Sequence, residues 1–335
     1  MLRQVTFFLF TVSILLAACS RNVHKARFVL LPDTQYYAEK FPDVLDSQIT
    51  WIERNSNNIQ LVIQQGDLTQ NNNDKEWSLV QTAFQRLNNR VPYVLAVGNH
   101  DMGSGPGKFA DVRNTSLYNQ YFPYAEMAKL PAFAGVFEEG KTDNAYYTLK
   151  TGKINWLVLS LEFGPRSTVL DWANRIVSQH PGHTVIINTH SYMYSDSTRQ
   201  GPGDSWRPQA YGIGKTGGDE AVNDGEQIWE KLVSRHPNIR FVFSGHILNS
   251  GVGTLVSINN PGYHVYQMLA NFQSEVKGSV RGGNGWLRIL DMDFKKNTLQ
   301  VSTYSPYVNQ YMDNPAHRFT IRNVFFEPGS RNQNR

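Results

Sequence analysis

The stretch Val91-Pro92-Tyr93-Val94-Leu95-Ala96-Val97-Gly98-Asn99-His100-Asp101 decides the fold. An apolar run ends at a glycine, and the glycine is followed directly by an amide, an imidazole and a carboxylate. The same grammar occurs twice upstream, where Ala26–Leu31 runs into Pro32-Asp33 and Leu61-Val62-Ile63 into Gly66-Asp67. Helical periodicity separates these runs. Leu45, Ile49 and Ile52 share a face within Val44–Arg54, as do Trp77, Val80, Phe84 and Leu87 within Glu76–Leu87. Two βα units in succession, their strand ends about thirty residues apart, predict a parallel α/β sheet.

Further along, Ala145–Lys150 and Asn155–Leu161 pair as a hairpin about Thr151-Gly152-Lys153. Helical patterns cover Val169–Gln179 and Gly225–Arg235. Strands are expected at Thr184–Asn188, before Thr189-His190, and at Arg240–Phe243, before Ser244-Gly245-His246. The irregular segment Met102–Asn144 reads as an insertion over the site. The polar loop Ser191–Asn223 carries Tyr192, Tyr194, Arg199, Trp206 and Arg207, and a lid and a solvated loop are weighed evenly for it. Thr254–Ser305 reads as successive strands that close a second sheet.

Asp33, Asp67, Asn99, His190 and His246 each follow an apolar strand. In α/β folds the carboxyl ends of the strands converge on one crevice, where ligands bind. Singly, an Asp or His at a strand end is most often a turn residue; the ordered set points to a site. Carboxylate, amide oxygen and imidazole suit Mn²⁺, Fe, Zn²⁺ or Mg²⁺ rather than a thiolate-held metal. An aspartate can bridge two cations, the arrangement that activates a water and clamps a phosphoryl oxygen.

In this order the blocks Asp33-Thr34-Gln35, Gly66-Asp67, Gly98-Asn99-His100-Asp101, His190 and Gly245-His246 resemble the motifs of calcineurin-like metallophosphoesterases. The resemblance implies a four-layer α/β/β/α sandwich of two mixed sheets flanked by helices. It implies two divalent metals and hydrolysis of phosphomonoesters or phosphodiesters by metal-activated water. Asp67 would bridge the metals, Asn99, His190 and His246 would complete one position, and Asp33 would hold the other. His100 would be the proton donor or a phosphate-contacting residue, with Asp101 orienting its imidazole. Two blocks depart from the family pattern: Gln35 stands where a histidine is usual, and Leu248 replaces the second histidine of the last block. Both losses fall on one metal position, so one tight and one weak site are expected, with Mn²⁺ the first expectation for the metal. His264, Gln267, Asn271 and Gln273 are candidates to fill the gap. Gln35, Asn271-Phe272-Gln273 and Gly282–Arg288 together resemble a bacterial extracellular subgroup. The rival reading is a lipid-anchored metal-binding surface protein with the same fold and a degenerate, inactive second position.

The chain has 335 residues, 40% hydrophobic and 18% charged, with a formal charge of +4, a globular composition without a Lys/Arg-rich run. Nucleic-acid binding is therefore not indicated, whereas phosphate-ester substrates are compatible; the oligomeric state is not legible. Near the start, Arg3 precedes an apolar stretch from Val5 to Ala18, too short to span a bilayer comfortably but suited to a signal-peptide core. It ends in Leu16-Ala17-Ala18-Cys19, which resembles the lipobox of bacterial lipoproteins, and Cys19 is the one cysteine in the chain. The expected organisation is a signal peptide over residues 1–18 and a linker over 19–25 starting at a lipidated Cys19. A metallophosphoesterase domain over 26–325 and a polar tail over 326–335 follow. This makes the protein an exported lipoprotein of the bacterial cell envelope, held on a membrane by its anchor. Several acyl chains on one cysteine would anchor it firmly, since one chain is marginal. Wild type should partition into the detergent phase and Cys19→Ser into the aqueous phase; partitioning of both into the aqueous phase excludes the anchor.

Overall fold

The computed structural model describes residues 24–329. The signal peptide, Cys19 and residues 330–335 of the tail lie outside the described residues. In chain order the elements are β1 (Lys25–Leu31), α1 (Gln35–Glu39), α2 (Pro42–Arg54), β2 (Leu61–Gln64), α3 (Asp74–Gln85) and β3 (Tyr93–Val94). They continue with α4 (Ser116–Tyr121), α5 (Tyr124–Met127), β4 (Phe133–Val136), β5 (Ala145–Thr151), β6 (Ile154–Leu161), α6 (Ser167–Gln179) and β7 (Thr184–Thr189). After these come α7 (Gly225–Lys231), β8 (Ile239–Ser244), β9 (Val252–Ile258), β10 (His264–Ala270), β11 (Leu287–Asp293), β12 (Thr298–Ser305), β13 (Gln310–Tyr311) and β14 (Arg318–Arg322).

Two seven-stranded mixed sheets result. One runs β13-β12-β11-β1-β2-β3 with β14 also on β12; the other runs β4-β5-β6-β7-β8-β10-β9. In the first, β1, β2 and β3 are parallel and β11 is antiparallel to β1. In the second, β6, β7, β8 and β10 are parallel, with antiparallel neighbours at both flanks.

Period-two alternation sorts each strand between layers. In β1, Val29 and Leu31 pack outward with Leu45, Ile49 and Ile52 of α2 and with Trp77, Val80 and Phe84 of α3. Phe28 and Leu30 face inward onto Trp156, Val158, Ile186 and Phe243 of the other sheet. The outer face of the second sheet is covered by Val169, Leu170 and Ile176 of α6 and Ile228 of α7. The result is the expected four-layer α/β/β/α sandwich, in which every central strand is buried on both faces.

Three expectations change. Thr254–Ser305 does not close a sheet of its own: β9 and β10 extend the second sheet, while β11 and β12 join β1 in the first. A run of alternating strands says nothing about which edge each will take. The third strand forms a ladder only over Tyr93–Val94; Ala96 N still donates to the Gln64 carbonyl of β2 at 3.2 Å, but the carbonyls on either side of it turn elsewhere. The Leu95 carbonyl accepts from Ser160 Oγ at 2.7 Å, and the Val97 carbonyl accepts from Phe163 N at 2.9 Å. Most of Met102–Asn144 does not cover the strand ends; Tyr118, Tyr121 and Phe122 pack around Trp77 of α3, and β4 joins the second sheet.

At the carboxyl ends of the strands the sheets are stitched together. Asn188 Nδ2 donates to the Gln64 carbonyl at 2.9 Å, and Gln65 Nε2 to the Ser244 carbonyl at 2.7 Å. Within the second sheet, Gly245 N donates to the His190 carbonyl at 2.9 Å, joining the loops after β7 and β8. These bonds fix the separation of the two sets of loops from which the site is built.

Candidate metal centre

Asp67, His190 and His246 present ligand atoms that all lie within 4.8 Å of one another, and all three side chains are buried. The loops after β2, β7 and β8 deliver them. Asn99, from the loop after β3, places Oδ1 3.0 Å from His190 Nε2, and Asp67 Oδ2 lies 3.2 Å from that same nitrogen. The cluster is the expected set of Asp67, Asn99, His190 and His246.

Main-chain carbonyls set both imidazoles. His190 Nδ1 faces the Gln65 carbonyl at 2.8 Å, and His246 Nε2 faces the Trp206 carbonyl at 2.7 Å. A carbonyl only accepts, so each of those nitrogens carries its proton. The lone pairs that remain for a cation are then on His190 Nε2 and His246 Nδ1. Phe163, fully buried, packs against both rings at centroid distances of 5.8 and 5.2 Å. The site is thus dry on its inner side.

The electrostatics are those of an ion-pair cluster. Despite burial, His190 and His100 hold the Asp67 carboxyl well below the usual carboxylate range. Burial works against a charge on His190, but the neighbouring Asp67 and Asp33 raise it. Burial, reinforced by His190, pushes His246 down to about 3, which keeps that imidazole neutral. Burial lifts the Asp33 carboxyl to about 7, with His190 opposing and Asp67 adding to the rise.

Asp33 stands beside the cluster rather than in it. Its carboxylate accepts from His246 N at 3.2 Å, from Asn271 Nδ2 at 2.9 Å and from Gln273 Nε2 at 2.8 Å. The Asn271 orientation is fixed from its other end, because its Oδ1 accepts from Gln273 N at 3.2 Å. Gln35 is buried; its amide donates to Gln70 Oε1 at 2.8 Å, and its own Oε1 is buried with no partner. An unpaired buried carbonyl oxygen is an acceptor in want of a partner. Leu248, half-buried, offers no donor. Of the four substitutes, Asn271 and Gln273 reach Asp33. His264 sits at the opposite end of β10, and Gln267 bonds Tyr192 and Arg199 instead.

His100 is half-buried at the rim. Its backbone N–H donates to Asp67 Oδ1 at 2.9 Å, and its Nδ1 faces the Gln70 carbonyl at 2.9 Å. Asp101 does not orient it. The turn from Gly98 to Asp101 points that carboxylate the other way, where it accepts from the backbone of Gly98, Leu68 and Thr69 and from Thr69 Oγ1 at 2.9–3.1 Å. Burial and the charge of Asp67 lift its carboxyl to about 6. Asp101 is a staple between two loops, and the Gln70 carbonyl takes the orienting part.

The model of the calcineurin-like phosphoesterase family matches residues 26–250, and the chain belongs to that family. A Bacillus subtilis (strain 168) protein, the uncharacterised YvnB, is 28% identical over 291 residues; the match covers 84% of this chain and 20% of that protein. The chain thus spans about a fifth of the length of that relative. Purple acid phosphatase PPD1 from yellow lupin shares the fold, with a TM-score of 0.52 at 13% identity over 89% of this chain and 54% of that one. GAP50 of Plasmodium aligns with a TM-score of 0.49 at 11% identity, over 90% of this chain and 91% of its own. The family implies divalent metal ions and phosphoester hydrolysis. The donor set, the tautomers and the orphaned Gln35 oxygen fit them.

Sequence reasoning named Asp67, Asn99, His190 and His246, which the structure brings together, but missed the groups that aim them. Gln65, Gln70 and Trp206 act through carbonyls, which every residue possesses, and Phe163 carried no motif. The glycines were legible only as turn residues. A Cβ on Gly66 would lie 2.6 Å from His190 Nδ1, one on Gly98 2.1 Å from Asp67 Oδ1, and one on Gly245 2.2 Å from Asp33 Oδ1. Gly98→Ala should cost about 1–3 kcal/mol through overpacking and at least halve the bound metal. Thermal unfolding and elemental analysis check this; wild-type values for both refute the cradle.

Proposed function

We propose that the protein hydrolyses phosphate esters at the bacterial cell envelope, with His100 as general acid and Cys19 as lipid anchor. The observation that carries the reading is the placement of His100 beside a four-donor centre, with one ring nitrogen committed to a carbonyl. Its Nδ1 proton is held by Gln70, so Nε2 is the atom that exchanges a proton with a bound ester. Divalent cations held by Asp67, Asn99, His190 and His246, and by Asp33 with Gln35, would supply Lewis-acid chemistry, polarising a phosphoryl oxygen and acidifying water.

The chain's own part follows from the contacts. The bond from His100 N to Asp67 Oδ1 ties the acid to the centre, so proton donor and metal ligands hold one relative position. Protonation of the departing alkoxide at Nε2 makes it a better leaving group. The Asp101 staple keeps the loops after β2 and β3 in register while this happens.

His100→Ala should lower kcat by about 10²–10⁴ on esters with poor leaving groups. The loss should be smaller on aryl esters, with metal content unchanged. An unaltered rate on an alkyl ester, with metal verified, excludes His100 as the acid.

The two metal positions differ in strength. One has Asp67, Asn99, His190 and His246; the other has Asp33, the shared Asp67 and the neutral oxygen of Gln35. Fewer charged or imidazole donors mean looser binding and a harder cation, with Mn²⁺ or Mg²⁺ favoured. One metal per chain should survive dialysis against a mild chelator, and activity should rise with added Mn²⁺ to saturation well above the protein concentration. Two retained metals contradict the assignment.

A further inference from the structure

Two aromatic side chains flank the centre and leave much of their surface in solvent. Phe109 lies against the His100 ring at a centroid distance of 3.9 Å and is 38% exposed. Trp206 is 45% exposed, its ring 6.4 Å from that of His246. Burying large apolar surface is favourable, so an exposed ring held at a site is a ready contact for a ligand.

Trp206 is held in place. Its carbonyl is the acceptor for His246 Nε2, and its backbone lies at φ 57°, a left-handed conformation that non-glycine residues adopt at a cost. Tyr211, 6.0 Å from His246 and packed on Phe163, supports the same side of the loop. The indole therefore belongs to the metal centre by the same backbone bond that sets a ligand's tautomer.

The guanidinium groups nearby are committed. Arg113 pairs with Glu162 at 3.1 Å, and Arg207, next to Trp206, pairs with Asp224 at 3.4 Å. Lys108, exposed beside Phe109, is a long flexible side chain rather than a fixed fork. A phosphomonoester has one substituent, whereas the centre has an exposed ring on each of two sides. A phosphodiester has two substituents and a single charge.

Resting on the phosphoesterase reading, we infer that the substrate is a phosphodiester with planar, aromatic substituents. The leaving group lies beside His100 and Phe109, and the retained group stacks on Trp206. Hydrolysis breaks the bond from phosphorus to the leaving oxygen and forms one to a water oxygen. One water proton is released to solvent, and His100 Nε2 gives its proton to the departing oxygen.

The test uses metal-loaded protein with three probes: bis(p-nitrophenyl) phosphate, methyl p-nitrophenyl phosphate and the monoester p-nitrophenyl phosphate. Wild type should prefer the bis-aryl diester over the monoester by at least tenfold in kcat/KM. Trp206→Ala keeps the carbonyl that orients His246 but removes the ring. It should lower the ratio of kcat/KM for the bis-aryl over the methyl diester about tenfold, as loss of one stacking contact does, mainly through KM. Trp206→Phe should restore most of that ratio. Calorimetric titration with diphenyl phosphate against dimethyl phosphate gives the same comparison without turnover. A preference for the monoester, or a Trp206→Ala effect equal on both diesters, overturns the diester assignment while leaving a phosphoesterase. No hydrolysis of any probe by protein of verified metal content overturns both.

Discussion

The centre depends on close approach of backbone to carboxylate and imidazole at three glycines. Gly66 lies against His190, Gly98 against Asp67 and Gly245 against Asp33, and in each case a single methyl group would occupy space already filled by the functional side chain. Each glycine precedes one functional block and makes room for a residue of another. The blocks are therefore interlocked rather than merely adjacent. Strand ends bring the loops near; the missing side chains let them close to ligand distance. The backbone bears the cost of this closure, since Asp67 and His246 sit at φ 51° and 72°. Such conformations persist only when the surroundings over-determine them. The bonds from Thr34 N to the Asp67 carbonyl and from Gly245 N to the His190 carbonyl do that.

How much of this could be read in advance follows from the kind of signal each feature leaves. The central layers were legible, because fully buried parallel strands read as continuous apolar runs and the covering helices read with period 3.6. Asp33, Asp67, Asn99, His190 and His246 were legible because each follows such a run. The destination of the tail was not, since β9 to β12 share one alternating pattern yet divide between two sheets. Orientation was not legible either. Whether Asp101 turns toward His100 or toward Thr69 depends on one turn, and adjacent residues in a turn commonly point apart. Asn271 and Gln273 stood out from Gln267 only as part of a subgroup resemblance, and their contact with Asp33 follows from the end of β10 from which they emerge.

The two halves of the centre differ in a way that follows from charge. Around Asp67 the donors are imidazoles, and one of them, His190, is drawn toward its charged form by the carboxylates. Around Asp33 the neighbours are amides, Asn271 and Gln273, which donate without bringing a charge. A buried carboxylate with neutral donors is only partly compensated, which is why burial still lifts Asp33 to about 7. With amides as its hydrogen-bonding side chains, Asp33 gains no positive charge from them to hold it ionised. The amides keep the carboxylate oriented all the same.

That orientation bears on why the weaker half would persist in the fold. Asn271 and Gln273 lie on the segment that carries the chain from β10 in one sheet to β11 in the other. The same segment packs Gly282 and Gly283 against Tyr36 and Tyr37 of α1. Asp33 and Gln35 precede and begin that helix. The bonds to Asp33 therefore tie the crossover to the first loop of the chain, and a change at Asp33 would loosen the junction of the two sheets as well as a cation position. Oδ2 of Asp33 accepts from both amides, whereas Oδ1 has only the long contact from His246 N at 3.3 Å. The structural load thus falls mainly on one oxygen of the carboxylate. A structural role on Oδ2 is compatible with the proposed cation role of Asp33, because the two use different oxygens.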